Sequence, residues 1–101
     1  MIVVTVKSFS ELPDGYEGGV CLSGLNNLST IYYIKDFIRY MEDGIGLFDF
    51  KKHRLDGPAV IYNAFDFLDE EYWVDNKELT KQQFFNHPLV IEYQLSSIEK
   101  L

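Results

Sequence analysis

Cysteine is almost absent from this chain, in which Cys21 is the single one among 101 residues. One cysteine cannot form an internal disulfide, and cysteine-based zinc sites need several, so both kinds of cross-linked domain are excluded. Histidine is nearly as scarce, because His53 and His87 are the only two and neither is spaced with carboxylates as a metal site requires. We therefore expect neither a metal nor another cofactor.

Long apolar runs and basic residues are also scarce. No apolar stretch approaches the roughly 18 residues of a membrane span, and residues 1–7 lack the apolar core of a secretory leader. Nine basic residues stand against sixteen acidic ones, which gives a net charge of −7. This charge disfavours direct binding to nucleic acid or to an anionic membrane, and it favours a protein partner with a basic surface. The expected location is the cytoplasm.

The residues that are abundant indicate a folded domain. The composition is 47% hydrophobic and 16% aromatic, which excludes disorder, and the length suits a single domain over residues 1–101. Short β-branched and aromatic stretches alternate with turn signals, so residues 1–79 are predicted to form an antiparallel β meander. The predicted strands are residues 2–7, 20–22, 31–35, 37–41, 45–50, 59–62 and 70–74, with 31–35 and 37–41 as partners in one hairpin.

Residues 80–101 are predicted to form one or two short helices. Thr80 and Gln83 have the spacing of a capping box, and Pro88 suits the first position of a second helix. Ile91, Leu95 and Ile98 share one helical face, although residues 89–91 also fit a strand. The predicted fold is therefore mainly β with a helical C-terminal segment.

Two internal similarities suggest a repeated hairpin. Residues 39–48 align with 52–61 at an offset of 13, since both contain a basic residue, then Asp-Gly, then apolar residues. Residues 32–36 align with 72–76 at an offset of 40 as aromatic strands that run into a turn. Units this short must share a core with their neighbours. In the 52–61 copy we expect Asp56 to begin a turn in which Gly57 adopts positive φ.

The segment His53-Arg54-Leu55-Asp56-Gly57-Pro58-Ala59 resembles the His-Arg-x-Asp-Gly-Pro-Ala repeat of small, mostly uncharacterised phage proteins related to MORN-type β-hairpin repeats. The flanks at residues 12–18, 71–77 and 79–88 are also similar to that family, so the resemblance extends over about residues 9–89. The earlier copy keeps Asp43-Gly44 but lacks the His, Arg and Pro of the motif. The resemblance implies MORN-like hairpins and a phage origin, and it implies no general activity.

His53, Arg54 and Asp56 could be taken for catalytic residues, but they fit a structural turn better. In this interpretation Asp56, Gly57 and Pro58 build and stiffen the turn, and Arg54 pairs with Asp56 or with a neighbouring carboxylate. We therefore predict no catalytic residues, and a small enzyme using His53 is kept as an alternative. The predicted structural turn motif consists of His53, Arg54, Asp56, Gly57, Pro58, Asp43 and Gly44.

Acidic residues are concentrated between residues 66 and 78, where only Lys77 opposes them. On a strand, Asp69 and Glu71 would lie on one face about 6.7 Å apart, a spacing similar to that of neighbouring backbone phosphates. One residue of the adjacent Tyr72-Trp73 pair must leave the core unless both faces of the sheet are covered, and exposed aromatics favour binding. The alternative is a solvated face that protects an edge strand. The candidate partner-binding residues are Asp66, Asp69, Glu70, Glu71, Tyr72, Trp73, Asp75 and Glu78.

These features predict a non-catalytic, acidic, protein-binding factor. The family context suggests a phage-encoded inhibitor of a host defence protein, acting through a surface that imitates nucleic acid. The alternative from a different class is a structural or assembly module that forms a homo-oligomer or part of a virion.

Overall fold

The computed structural model describes residues 3–23, 29–64 and 67–99. As predicted, the fold is mainly β, with an open and largely antiparallel sheet followed by two C-terminal helices. The elements are β1 (Val3–Val6), a 3₁₀ helix (Phe9–Glu11), β2 (Gly18–Ser23), β3 (Ser29–Glu42), β4 (Ile45–Lys52), β5 (Val60–Ala64), β6 (Phe67–Val74), β7 (Lys77–Leu79), α1 (Lys81–Phe85) and α2 (Pro88–Glu99).

The strand order differs from that of a simple meander. The strands follow the order β1-β2-β3-β5-β6-β7, and β4 pairs with β3 outside this path. β1 and β2 are parallel, whereas the other pairs are antiparallel. A parallel pair needs a crossover, and here the crossover contains the 3₁₀ helix. The expectation of an all-antiparallel hairpin meander is therefore wrong at β1.

The hairpin predicted from residues 31–35 and 37–41 is also wrong, because both segments belong to the 14-residue strand β3. The register with β4 shifts between Lys35 and Ile38, and Asp36 has a φ of 55°. A β-bulge thus absorbs an extra residue where the sequence suggested a chain reversal. The first half of β3 lies between β2 and β5, and the second half pairs with β4 to form a two-stranded arm, residues 36–51.

The tip of the arm is the turn that the sequence predicted. Asp43 and Gly44 have φ values of 51° and 78°, and they connect Glu42 to its cross-strand partner Ile45. Positive φ at both central residues is typical of the two-residue hairpin turn whose twist matches that of its strands.

β4 and β5 do not form a hairpin with each other, although the 52–61 repeat copy predicts one. The backbone N–H of His53 donates to the carbonyl of Tyr33 (2.9 Å), and the N–H of Tyr33 donates to the carbonyl of Ala59 (2.7 Å). Both groups of Tyr33 point to the same side of β3, so β4 and β5 lie end to end along it. Residues 54–58 form a loop that projects out of this interrupted strand.

Two small clusters of buried side chains hold the layers together. The first lies under the 3₁₀ helix and contains Leu12, Val20, Ile34 and Phe37. The second fixes the helices on the end of the sheet through Val74, Phe84 and Val90, with Tyr72 and Leu79 packed against it. Phe84 lies on α1, which begins at a capping box in which Thr80 and Gln83 exchange hydrogen bonds of 2.9 and 3.1 Å, as predicted.

The last segment is a helix that begins at Pro88, so the strand alternative for residues 89–91 is wrong. Val90 is its buried side chain, whereas Ile91, Leu95 and Ile98 are exposed. The shared apolar face of these three residues therefore does not pack against the sheet. Within the described chain, no helix has the length and apolar composition to cross a membrane.

Replacing Gly44 with alanine should destabilise the protein by about 1 kcal/mol, since alanine is strained at positive φ. A Cβ at Gly44 would contact nothing within 4 Å, so the expected cost comes from the backbone alone. Gly46→Ala is the matched control, because its Cβ would meet only Met41 Sδ at 3.8 Å and its φ is ordinary. Equal unfolding midpoints in urea for the two variants would contradict this explanation.

Candidate functional site

The acidic residues of β6 and β7 are divided between the two faces of the sheet. Asp69 and Glu71 share one face because side chains alternate along a strand. Glu78 lies opposite Trp73 in the β6–β7 pair, so it shares that face too, whereas Glu70 lies on the other. Asp66 is outside the described residues. We call Tyr62, Asp69, Glu71, Trp73 and Glu78 the acidic face.

Tyr62 belongs to this face, although it is not among the partner-binding residues predicted from the sequence. It lies opposite Asp69 in the β5–β6 pair. Burial raises the pKa of Tyr62, and the nearby carboxylates of Glu71 and Asp69 raise it further. Burial and Glu71 also raise the pKa of Tyr32, the neighbour on β3. The alternation of side chains along β5 is visible in the sequence, but only the pairing register with β6 places Tyr62 beside Asp69.

Trp73 is fixed on the acidic face by two contacts. Its indole N–H donates to Glu71 Oε1 (2.9 Å), and Lys52 Nζ lies 4.2 Å from the centre of its ring. Because the Lys52 ammonium group covers the ring, the Trp73 side chain is fixed beside the carboxylates and has little freedom to change rotamer.

Two predicted partner-binding residues lie elsewhere. Tyr72 faces the helices, with its ring 4.7 Å from that of Phe84, so it serves the second core. Asp75 forms a salt bridge with Lys35, and this hydrogen bond lowers the pKa of Asp75. Both therefore have structural partners within the protein.

The carboxylates of Asp69, Glu70, Glu71 and Glu78 form no ion pair with any described residue. A groove of about 400 Å³ lies beside them and is lined by residues of β6 and β7 and by Lys81. The groove is open because β7 pairs only with Tyr72–Val74 and leaves the preceding part of β6 unpaired on that side. Four carboxylates thus border an accessible strand edge.

His53 begins the loop and is held by backbone groups. Its Nδ1 accepts a hydrogen bond from the N–H of Asp75 (3.0 Å). Burial lowers the pKa of His53, and the ammonium group of Lys35 lowers it further. An unprotonated Nδ1 is what the hydrogen bond requires, since a protonated nitrogen cannot accept. His53 therefore joins the β6–β7 turn to the end of β4.

The Arg54 side chain stabilises the loop of residues 54–58 through contacts within it. Its Nε lies 2.7 Å from Asp56 Oδ1, its Nη1 donates to the carbonyl of Pro58 (3.1 Å), and its guanidinium lies 3.9 Å from the centre of the Tyr33 ring. Gly57 does not have the positive φ that we expected. A Cβ at Gly57 would lie 3.0 Å from Arg54 Cζ, which is tighter than an ordinary van der Waals contact, so the guanidinium leaves little room for a larger residue there.

The similarity between residues 32–36 and 72–76 has a structural counterpart next to the loop of residues 54–58. Tyr33 and Trp73 are equivalent positions, and their carbonyls accept the backbone N–H groups of His53 and Arg54. Each aromatic ring also carries a cation, Arg54 over Tyr33 and Lys52 over Trp73. Residues 52–54 thus contact β3 and β6 through the same kinds of interaction.

A narrow cavity of about 150 Å³ adjoins the loop and is lined partly by Glu17, His53, Asp56 and Tyr93. Within residues 3–23, 29–64 and 67–99, no three His, Cys, Asp or Glu side chains are grouped as metal ligands would be. The polar groups of Arg54 and Asp56 are directed at each other and at the loop backbone.

Comparison of the chain with models of known protein families found no match, and comparisons with curated proteins and with solved structures found none either.

Gly57→Ala should destabilise the protein by about 1 kcal/mol, because the new Cβ displaces the Arg54 guanidinium from its partners. In an Arg54→Ala background the same change should cost much less, since the crowding atoms are gone. Urea unfolding of the four proteins in this double-mutant cycle measures the coupling. Equal costs in both backgrounds would show that Gly57 is required for another reason.

Stability should fall as the pH is lowered from about 7.5 to about 5.5. The unfolded chain protonates His53 near the ordinary pKa of 6.5, whereas the folded protein, with its lowered pKa, does not. The stabilisation is therefore present above that pH and is lost below it. His53→Asn retains an acceptor for the Asp75 N–H and should show a shallower pH dependence in urea unfolding followed by Trp73 fluorescence. An unchanged dependence would exclude His53 as its source.

Proposed function

We propose that this protein is a non-catalytic binding module whose acidic face holds a protein partner with a basic surface. The observation that carries the proposal is the grouping of Asp69, Glu71 and Glu78 on one face without a cationic partner among the described residues. Tyr62 and Trp73 border these carboxylates and supply apolar contact area.

The physical basis is the mutual repulsion of these carboxylates, which persists while no partner is bound. Carboxylates that form no ion pair keep the local potential negative, and a basic partner relieves their mutual repulsion while it is steered to the site. Fixed aromatic residues beside the charges add the kind of contact on which binding hot spots depend. Steering and apolar contact thus favour the same surface.

The shape of the site favours a partner that normally binds nucleic acid. Asp69 and Glu71 are two positions apart on a strand, or about 6.7 Å, which is comparable to the spacing of phosphates along a backbone. A basic groove that follows a phosphate backbone would accept this row of carboxylates. We infer that the protein occupies such a groove and excludes the nucleic acid.

The more specific proposal is that of a phage protein with MORN-like repeats that inhibits a host defence protein. Its support is the resemblance of residues 53–59 to the phage repeat, together with the acidic face. His53 and Arg54 are engaged with the loop and with neighbouring backbone groups, which favours a structural role for the motif over a catalytic one.

Reversing two charges with Asp69→Lys and Glu78→Lys should weaken binding to a basic partner at least tenfold, which corresponds to about 1.4 kcal/mol. Both side chains are exposed, so the fold should tolerate the change. The measurement is fluorescence anisotropy with an arginine-rich peptide, followed by affinity capture from a bacterial lysate. The captured protein should be a nucleic-acid binder, and duplex DNA should compete for it.

Glu42→Lys with Glu92→Lys is the matched control, because it changes the net charge equally at exposed sites away from the acidic face. The control should retain binding within about twofold. Equal loss in both double variants would mean that net charge alone drives binding, and the acidic face would then not be the site.

A further inference from the structure

One edge of β6 is open to a further strand over more than half of its length. β6 has eight residues, and β7 pairs with three of them, residues 72–74. After Leu79 the chain turns away from the sheet into α1. No described strand pairs with residues 67–71 on this side, and the groove of about 400 Å³ lies along it. Five residues match the length of a common strand.

The hydrogen bonds of β6 show which backbone groups point to the open edge. The carbonyl of Glu71 accepts the N–H of Ala59 (2.8 Å), so the backbone groups of Glu71 point towards β5. Successive residues of a strand direct their backbone groups to opposite edges. The N–H and C=O groups of Leu68 and Glu70 therefore point into the space beyond β6.

One of these four groups is covered by a neighbouring side chain. The Glu70 N–H donates to Asp69 Oδ1 (3.0 Å), whereas no described residue is hydrogen-bonded to the Leu68 N–H or to either carbonyl. A carboxylate over an edge N–H hinders pairing with a neutral strand, which has nothing to draw the carboxylate away. A cationic side chain beside Asp69 draws the carboxylate to itself and frees the N–H. The edge thus selects for a basic strand.

We propose that the open edge of β6 receives an extended basic segment of the protein partner, which adds to the sheet as an antiparallel strand in line with β7. This inference rests on the proposed binding function and specifies how the partner is held. The backbone groups of Leu68 and Glu70 supply the hydrogen bonds, as in other complexes in which a peptide extends a sheet. Lysine or arginine at every second position lies opposite Asp69 and Glu71 on the acidic face.

The positions between the basic residues face the other side of the sheet. There Leu68 is 60% exposed, and Tyr72 and Leu79, which lie opposite each other in the β6–β7 pair, line the groove. These side chains offer apolar contact to a short apolar residue. The segment that fits the edge therefore alternates basic and apolar residues.

The sheet already contains the arrangement that this addition requires. β4 and β5 lie end to end along β3, each with its own part of that strand. β7 and the added segment lie end to end along β6 in the same way. The described strands need not move to accept the segment.

Charge excludes a second copy of the chain as the occupant. Two β6 edges that paired with each other would bring Asp69, Glu70 and Glu71 of one copy against the same residues of the other. Like charges opposite each other destabilise a strand pair, and each copy has a net charge of −7. A basic segment is attracted by the same residues.

The test is fluorescence anisotropy with labelled peptides of about seven residues in which lysine and valine alternate. In the proposed strand the valine N–H groups point at β6 and the lysine N–H groups point away. N-methylation of the valines should therefore weaken binding at least tenfold, whereas N-methylation of the lysines should change it less than about threefold. The two methylated peptides have the same charge, so their difference measures backbone pairing.

Leu68→Pro tests the same pairing from the protein side. It removes one outward N–H without a change of charge, and proline is tolerated on an edge strand where its nitrogen faces solvent. The variant should weaken the unmethylated peptide about tenfold, whereas Leu68→Ala, which keeps the N–H, should weaken it less than about threefold. Urea unfolding checks that both variants fold, and the methylated peptides test the pairing on the unaltered protein if Leu68→Pro does not.

Three outcomes would overturn the proposal. These are an unmethylated peptide that does not bind at about 1 mM, equal effects of methylation at valine and at lysine, and a dimer of the chain at about 100 µM that Leu68→Pro dissociates.

The acidic face is judged separately with the arginine-rich peptide. If Asp69→Lys with Glu78→Lys loses that peptide while valine methylation has no effect, the partner is held by charge and no strand is added. If the double variant binds the arginine-rich peptide as the wild type does, the proposed function itself fails.

Discussion

The backbone of Tyr33 carries the interaction on which the rest of the sheet depends. Its carbonyl accepts the N–H of His53, where β4 ends, and its N–H donates to Ala59, where β5 is about to begin. A single residue of β3 thus supports both halves of an interrupted strand. The loop of residues 54–58 can leave the sheet without disrupting it because of Arg54. The Arg54 guanidinium donates a hydrogen bond to the loop carbonyl of Pro58 and stacks on the ring of Tyr33.

This interruption explains the unequal burial of the molecule. The half of β3 that pairs with β5 lies inside a continuous sheet, and Phe9 of the 3₁₀ helix packs on its Tyr32. The second half of β3 extends past the strands β2 and β5, so it pairs with β4 alone, and these two strands form the arm. The apolar residues of the arm are therefore left uncovered. The acidic residues of β6 are exposed near the other end of the sheet, where β7 is too short to pair with the whole of β6.

Much of the local structure could be predicted because the interactions that determine it lie within a few residues. The capping box at Thr80 and Gln83, the start of α2 at Pro88 and the Asp43-Gly44 turn depend on neighbouring backbone groups and on φ preferences. The candidate site was predicted less completely. Asp69, Glu71, Trp73 and Glu78 do share a face, but Tyr72 and Asp75 have structural partners, and Tyr62 was missed because it reaches the site through strand register.

The sequence alone determined the β-rich class, the acidic surface and the positions of most strands and both helices, since composition, alternation and capping are local properties. Only the tertiary structure decided that β1 pairs in parallel, that residues 29–42 form one bulged strand and that the second Asp-Gly segment leaves the sheet as a loop. The physical reason is that each of these outcomes depends on which distant backbone groups complete the hydrogen bonds. Gly57 illustrates the difference, because what restricts it is the guanidinium of Arg54 and not its own φ.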